Sequence, residues 1–407
     1  MDKIVLFTDK KDCCACGACV NICPKNAISM KEDEFGFLYP ELDHGECIQC
    51  KKCLKVCAYQ HQEVSNTTKH AYVALAREKE LSQKSASGGV FAAVAKEILN
   101  GGGVVFGCSF EQQGGTICAE HIMIEKIEDL EKLQGSKYVQ SFIGTAYQRV
   151  KQELEKGRLV LFSGTPCQIA ALGSFLGNGE FQNLLTIDII CHGVPGAGFL
   201  ESYIKEFEKN LGSKITAFRF RDKTSGWGLK GSVEYINKRG VHKKKIVPVQ
   251  LSSYYQLFLD SVIYRENCYS CKYAGPFRTG DITIGDYWGV EKEHPEYLLL
   301  NGGSMDQREN LSCVLVNTER GKKMLEKFGF SIQLQPSTFE KVARHNGQLR
   351  HPSHKSDERA FILKAYKEGG YAAVDKWHYK RLGTKRYIYM LWNALPVSLR
   401  AFIKRVD

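Results

Sequence analysis

The 407-residue chain lacks any apolar run approaching the roughly 18 residues that a membrane-spanning helix needs, so no transmembrane segment is expected. Its opening, MDKIVLFTDKKD, offers only the four consecutive apolar residues Ile4 to Phe7, too few for a secretory signal. It also lacks the cysteine density of a disulfide scaffold: there are sixteen cysteines, and nine of them crowd into the first 57 residues. These absences point to a cytoplasmic protein, where thiols stay reduced and clustered cysteines serve metals. A uniform basic charge is missing too. The net charge is +11, yet residues 341–407 hold fifteen Lys and Arg against five Asp and Glu, which leaves the first 340 residues nearly balanced. That distribution excludes a general nucleic-acid coat and leaves a local basic tail.

What the chain does have is ordered cysteine. Cys13, Cys16, Cys19 and Cys23 follow C-x2-C-x2-C-x3-C-P, and Cys47, Cys50, Cys53 and Cys57 repeat the spacing without the proline. A cubane 4Fe-4S cluster needs four converging thiolates; one tight loop supplies three and the companion run the fourth. The crossed assignment is therefore Cys13, Cys16, Cys19 and Cys57 on one cluster, and Cys47, Cys50, Cys53 and Cys23 on the other. The alternative is a pair of zinc knuckles, which favour paired C-x2-C units over this triple-plus-one repeat. Cys14 is surplus to the pattern.

Length implies two or three domains. We expect a two-cluster ferredoxin domain over residues 1–62, the polar linker Gln60–Lys69, a core in two parts over 70–150 and 151–330, and a basic helical extension over 331–407. The core opens with a strand at AYVALA (71–76), a turn through Ser85, Ser87, Gly88 and Gly89, and a helix at VFAAVAKEIL. That layout can present backbone N–H groups to a phosphate, although a Ser/Gly turn before a helix is also an ordinary cap and this one lacks the G-x-G-x-x-G fingerprint. GSKYVQS packs the donors Ser136, Lys137, Tyr138 and Ser141 into one connection. Lys137 suits a phosphate or flavin contact or a plain solvated loop. RLVLFSG reads as a strand running into a helix with Thr165 as N-cap, Pro166 at the first position and Cys167 in the first turn. LLTIDII hands over to Cys191 and His192, and further strands are expected at ITAFRFRD, KGSVEYIN and KKKIVPVQ, so the order is α/β and then β-rich.

ENCYSCKYAGPFRTGDITIGDYWG (266–289) adds a C-x2-C at Cys268 and Cys271, then Arg278, Asp281, Asp286, Tyr287 and Trp288. Cys167, Cys191, Cys268 and Cys271 would supply the four thiolates of a third cluster. In the bland reading Cys167 is a reactive thiol, Cys191 is core and the C-x2-C is structural. Cys108, Cys118 and Cys313 read as ordinary buried residues. The tail interleaves bulky apolar and basic residues up to Pro396 and beyond. It fits an amphipathic helix on an anionic membrane, or packing against its own protein or a second subunit.

The ferredoxin runs followed in order by SASGG, GSKYVQS, SGTPCQIAAL, CHGVP and ENCYSCKYA with RTGDITIGDYWG resemble the coenzyme F-420 hydrogenase/dehydrogenase β-subunit family over about residues 1–318. Its members are iron–sulfur flavoproteins, including deazaflavin-reducing hydrogenase subunits and reductases of chlorophyll precursors, and some are associated with surface polysaccharide biosynthesis. The resemblance implies a mixed α/β, flavin-binding core with FAD. The implied contacts are Ser85, Ser87, Gly88, Gly89, Ser136, Lys137, Tyr138, Ser141, Thr165 and Pro166, and the resemblance supports the third cluster. The expected function is an oxidoreductase that passes electrons from a soluble donor, ferredoxin-like or deazaflavin, through the clusters and FAD to an organic substrate. His192, Lys137, Asp281 and Asp286 are the candidates for proton delivery or substrate orientation. The rival is an electron-transfer subunit, serving a partner enzyme or a deazaflavin, with no organic substrate of its own. Homo-oligomer formation and peripheral contact with the inner face of the membrane are compatible with either.

Overall fold

The computed structural model describes residues 3–61, 66–177, 181–223 and 230–395. Part of the expected linker (62–65) and the tail beyond 395, Pro396 included, lie outside the described residues.

The core is an eight-stranded sheet of β1 (His70–Ala76), β2 (Val104–Gln113), β3 (Thr116–Ile124), β4 (Val160–Gly164), β5 (Leu184–Ile189), β6 (Ile282–Asp286), β7 (Ser312–Val316) and β8 (Ile332–Ser337), in the spatial order β8-β1-β7-β6-β5-β4-β2-β3. The centre is parallel: β2 with β4, β4 with β5, and β5 with β6. The outer pairings are antiparallel. A central parallel strand is covered on both faces and so reads as a continuous apolar run. In β4, Val160, Leu161 and Phe162 are all fully buried, Leu161 in the apolar layer on one face and its two neighbours in the layer on the other.

Two helices explain themselves locally. Val90–Asn100 places Val90, Val94 and Ile98 on its buried side and starts after Gly89, whose φ of 81° belongs to the left-handed region. Pro166–Leu176 begins with a capping box in which Thr165 and Gln168 satisfy each other's backbone, and with proline at the first turn.

The N-terminal module is a short hairpin, Ile28–Glu32 paired with Leu38–Leu42, flanked by the one-turn helices Ala18–Ile22 and Lys52–Lys55. It is bolted to the core by polar contacts. Asn21 donates to the Gly144 carbonyl (2.8 Å), Gln148 to the Asn21 carbonyl (2.7 Å) and the Tyr147 hydroxyl to the Cys16 carbonyl (3.0 Å). A third layer joins the helix Ala197–Leu211 and the sheet of Ile215–Arg219, Lys230–Ile236 and His242–Pro248 around Phe199, Tyr203, Phe218 and Tyr254.

The expected helical extension from 331 differs in two ways. Its first residues are strand β8, which seals the edge of the core sheet against β1. Its long helix Arg359–Leu382 buries Ile362, Tyr371 and Val374 in the third layer, where the Tyr371 hydroxyl meets Ser253 (2.9 Å). The following helix, Lys385–Ala394, leaves an apolar stripe in solvent, at Tyr387, Ile388 and Leu391. Among the described residues no helix is long and apolar enough to cross a membrane.

Candidate functional site

The two cysteine runs fold as conformational copies. Ala15 (φ 50°) and Gly17 (φ 77°) in the first, and Gln49 (φ 54°) and Lys51 (φ 60°) in the second, lie two and four residues after the first cysteine, all left-handed. Non-glycine residues enter that region at a cost of about 1 kcal/mol each, so three of them at matched places mark an imposed curl. The curl turns the loop's cysteines to one side and aims backbone N–H groups inward: Ala15 donates to Cys13 Sγ and Gln49 to Cys47 Sγ, each at 3.4 Å. Donors of this kind to cluster sulfurs are a lever on reduction potential. Cys13, Cys16, Cys19 and Cys57 line one small cavity, and Cys23, Cys47, Cys50 and Cys53 line a second nearer the surface, where Cys50 is exposed.

The distant cysteines also converge. Cys167 at the start of its helix, Cys191 after β5, and Cys268 and Cys271 in the loop before β6 line a third cavity. Burial pushes the Cys268 and Cys271 thiols up to about 11 and about 12, so any metal held here must displace protons. Cys167 goes the other way, down to about 7, chiefly because the Cys14 thiol lies in hydrogen-bonding reach, with help from Thr165 and Arg265. The walls fit a sulfur-rich anionic guest. The Tyr273 hydroxyl is buried there without a hydrogen-bond partner among the described residues. Among the described residues no three His, Cys, Asp or Glu side chains are set closely enough for a single bare ion; the cysteines instead surround the three cavities.

A fourth and much larger cavity, about 490 Å³, opens at the carboxyl ends of β4, β5 and β6, the end of a parallel sheet where ligands bind. Ser85, Ser87, Gly89, Ser136, Lys137, Tyr138, Ser141 and Thr165 line it, as do His192 and Asp286. Its volume lies in the range of small-molecule and cofactor pockets. Ser141 Oγ meets His121 Nδ1 (3.0 Å) and accepts from Gln168 (2.9 Å), while His121 Nε2 meets the Ser163 carbonyl (3.0 Å); burial pulls His121 down to about 4. Lys137 donates to the carbonyls of Gln134 (2.8 Å) and Lys132 (3.0 Å), capping a one-turn helix, and burial lowers it to about 8. His192 lines both the third cavity and this one. Surrounding protein lowers its pKa, and the Asp286 charge opposes that shift. Asp286 pairs with Arg221, which stacks over Trp288. Cys108, read as an ordinary core residue, also reaches the cavity wall.

Three expected residues are placed elsewhere. Asp281 precedes β6 and so sits at the end of the strand away from the cavity. Its carboxylate accepts from Thr186 N (2.9 Å), Thr186 Oγ1 (2.7 Å), Thr318 Oγ1 (2.7 Å) and Arg320 Nε (3.0 Å), a structural tie that removes it from the catalytic set. Gly88 is not in the cavity wall; a side chain there would meet the Ala74 carbonyl at 2.6 Å, so packing against β1 demands the glycine. Pro166 faces the third cysteine cavity instead. Arg278, in the same RTGD motif as Asp281, is likewise scaffold: it pairs with the buried Asp188 (3.4 Å) and donates to the Ile189 carbonyl (3.1 Å).

The cavities share walls. Cys53 belongs to both cavities of the N-terminal module; Cys14 and Ala15 join the inner of these to the third; Ser141, Thr165, Cys191 and His192 join the third to the large one. Residues 12–61 match the 4Fe-4S dicluster domain, and residues 157–340 match the family described as the C terminus of the coenzyme F420 hydrogenase/dehydrogenase beta subunit. This β-subunit region holds Cys167, Cys191, Cys268 and Cys271, and the dicluster domain holds the eight cysteines of the crossed runs. One component of the F(420)H(2) dehydrogenase of Methanosarcina mazei, its F subunit, is 22% identical over 196 residues, which cover 46% of this chain and 56% of that protein. The chain thus spans little more than half the length of that relative. Among solved structures, a chain from the F420-reducing NiFe hydrogenase complex of Methanosarcina barkeri aligns with a TM-score of 0.40 at 16% identity, covering 75% of this chain and 94% of that one. The two matches relate this chain to 4Fe-4S dicluster proteins and to subunits of F420 hydrogenases and dehydrogenases.

Sequence reasoning missed Arg265, Cys14 and Tyr273 as members of the third site. Only Cys14 carried a signal, as the one cysteine the spacing left over.

Proposed function

We propose that the chain is an electron-transfer subunit that moves electrons between a partner protein and a two-electron carrier, without an organic substrate of its own. The observation that carries this reading is the unbroken series of shared walls from the exposed Cys50 to the large cavity. In this reading the crossed quartets hold two 4Fe-4S clusters, and Cys167, Cys191, Cys268 and Cys271 hold a third. FAD would be held in the large cavity, where Ser85, Ser87 and the N-terminus of the Val90–Asn100 helix would bind its phosphates. A bound flavin supplies the exchange between single electrons and a hydride that a chain of clusters requires.

The protein's own groups set the conditions around it. His192 presents a ring held toward its neutral form, able to take a proton at the cavity wall. Asp286, fixed by Arg221 and Asn310 (3.2 Å), keeps a negative charge near it. The Tyr138 ring, stacked on Phe258 at 4.3 Å, keeps that side of the cavity apolar. The similarity to a component of an F(420)H(2) dehydrogenase favours a deazaflavin as the hydride partner over an organic substrate or a role in polysaccharide synthesis. Anaerobic purification with iron and flavin analysis tests the reading. About twelve irons and one flavin per chain are expected, with bleaching of the flavin by a reduced deazaflavin. A colourless or zinc-loaded protein, or one whose flavin ignores reduced deazaflavin, would refute it.

A further inference from the structure

Arg265 is 0% exposed, and among the described residues none of its hydrogen bonds goes to a carboxylate. Its guanidinium donates to the carbonyls of Leu38 (2.7 Å) and Cys13 (3.1 Å), to Gln140 Oε1 (2.9 Å) and to Asn267 Oδ1 (3.3 Å), and it lies over the Tyr39 ring at 4.4 Å. The other deeply buried arginines are treated differently: Arg278 faces Asp188, Arg359 faces Glu266 and Arg221 faces Asp286. Glu266, next in the chain, turns away to Lys355 and Arg359. A buried cation satisfied only by neutral groups is expensive, because hydrogen bonds to carbonyls do not restore the lost hydration of a full charge. The missing anion has an obvious place. Arg265 lines the third cysteine cavity beside Cys14, Cys167, Cys268 and Tyr273, and its bond to the Cys13 carbonyl brings it to the first loop of the dicluster domain. Its positive field reaches the Cys13, Cys167 and Cys268 sulfurs.

We infer that Arg265 is the shared counter-charge of the Cys13 and Cys167 clusters, raising both reduction potentials and so drawing electrons inward from the Cys47 cluster. The inference rests on the three-cluster reading above. A cluster ligated by four thiolates is a net anion that gains further negative charge on reduction, so a fixed guanidinium favours the reduced state of any cluster it faces. The Cys47 quartet lies in the other cavity of the dicluster domain, whose wall does not include Arg265, and serves as internal reference.

The test is an EPR-monitored redox titration of wild type, Arg265→Gln and Arg265→Lys, with iron counted in each. In Arg265→Gln, two of three potentials should fall, each by at least the 59 mV that a tenfold shift in a one-electron equilibrium represents, while the third stays and iron remains near the wild-type count. Arg265→Lys should recover most of the fall. Should Arg265→Gln fail to fold, Gln140→Glu sets a carboxylate against the same guanidinium and should lower the same two potentials. Full iron with all potentials unmoved would reduce Arg265 to a structural pin and overturn the inference. A wild-type protein with only about eight irons would instead overturn the third cluster, a result read from the iron count before any variant is made.

Discussion

Asp281 decides between two meanings of the RTGD motif, and replacing it separates them. Its carboxylate is 1% exposed and holds β5 to the start of β6 through Thr186, and the helix Glu319–Phe328 to the same point through Thr318 and Arg320. In Asp281→Ala the Thr186 N–H and the two threonine hydroxyls lose a charged acceptor in the interior, each worth about 1.5 kcal/mol, and the amide left without a partner adds a desolvation penalty of similar size. Arg320 keeps 38% of its side-chain surface, so its loss counts only at the value of a partly solvated pair, well under 1 kcal/mol. The sum is about 6 kcal/mol, a large share of the roughly 5 to 15 kcal/mol that stabilises an ordinary domain. Asp281→Asn keeps the shape and part of the accepting capacity and should cost about half as much. Urea unfolding of the anaerobic protein, followed by circular dichroism, should show the midpoint falling in that order, with iron per folded chain and the rate of flavin reduction unchanged. An unshifted midpoint combined with lost electron transfer would refute the reasoning and return Asp281 to the catalytic set.

His121 keeps its proton off until about pH 4, against 6.5 in the unfolded chain, so between those values the unfolded state binds more protons and stability falls as pH falls. The effect is about 3 kcal/mol over the whole window, and His121→Gln should flatten the dependence of the urea midpoint between pH 6.5 and 5; equal slopes would exclude it. Cys14→Ser should retain the wild-type iron, because Cys14 touches Cys16 and Cys167 without completing a quartet, whereas Cys167→Ser should lose about four irons; the reverse pattern in an iron assay would make Cys14 the ligand. The helix Lys385–Ala394 sets Tyr387, Ile388 and Leu391 in solvent beside Lys385 and Arg386, so the full chain should float with anionic liposomes and a chain ending at residue 384 should not; equal recovery of both in the soluble fraction counts against membrane contact.

The amino-acid order alone determined what depends on near neighbours. The C-x2-C-x2-C-x3-C spacing shows which cysteines gather because three thiols on one curled loop are brought together by the loop itself. The Thr165–Pro166 start of a helix and the apolar run of β4 were legible for the same reason, since capping and burial on both faces leave their marks within a few residues. Strand direction was not legible. Asp281 and Asp286 are five residues apart in one motif, yet a strand rising about 3.3 Å per residue sends them to opposite ends of β6, one to the scaffold and one to the cavity. Nor could periodicity show that Ile332–Ser337 closes the sheet, because its strand partner β1 lies more than 250 residues earlier in the chain. The third quartet gathers Cys167, Cys191, Cys268 and Cys271 from separate strand ends, and the packing of the dicluster domain against those ends brought Cys14 and Arg265 between two cysteine sites. Those placements are set by the summed burial of the parallel sheet and the module docked on it, a long-range property that no local spacing encodes.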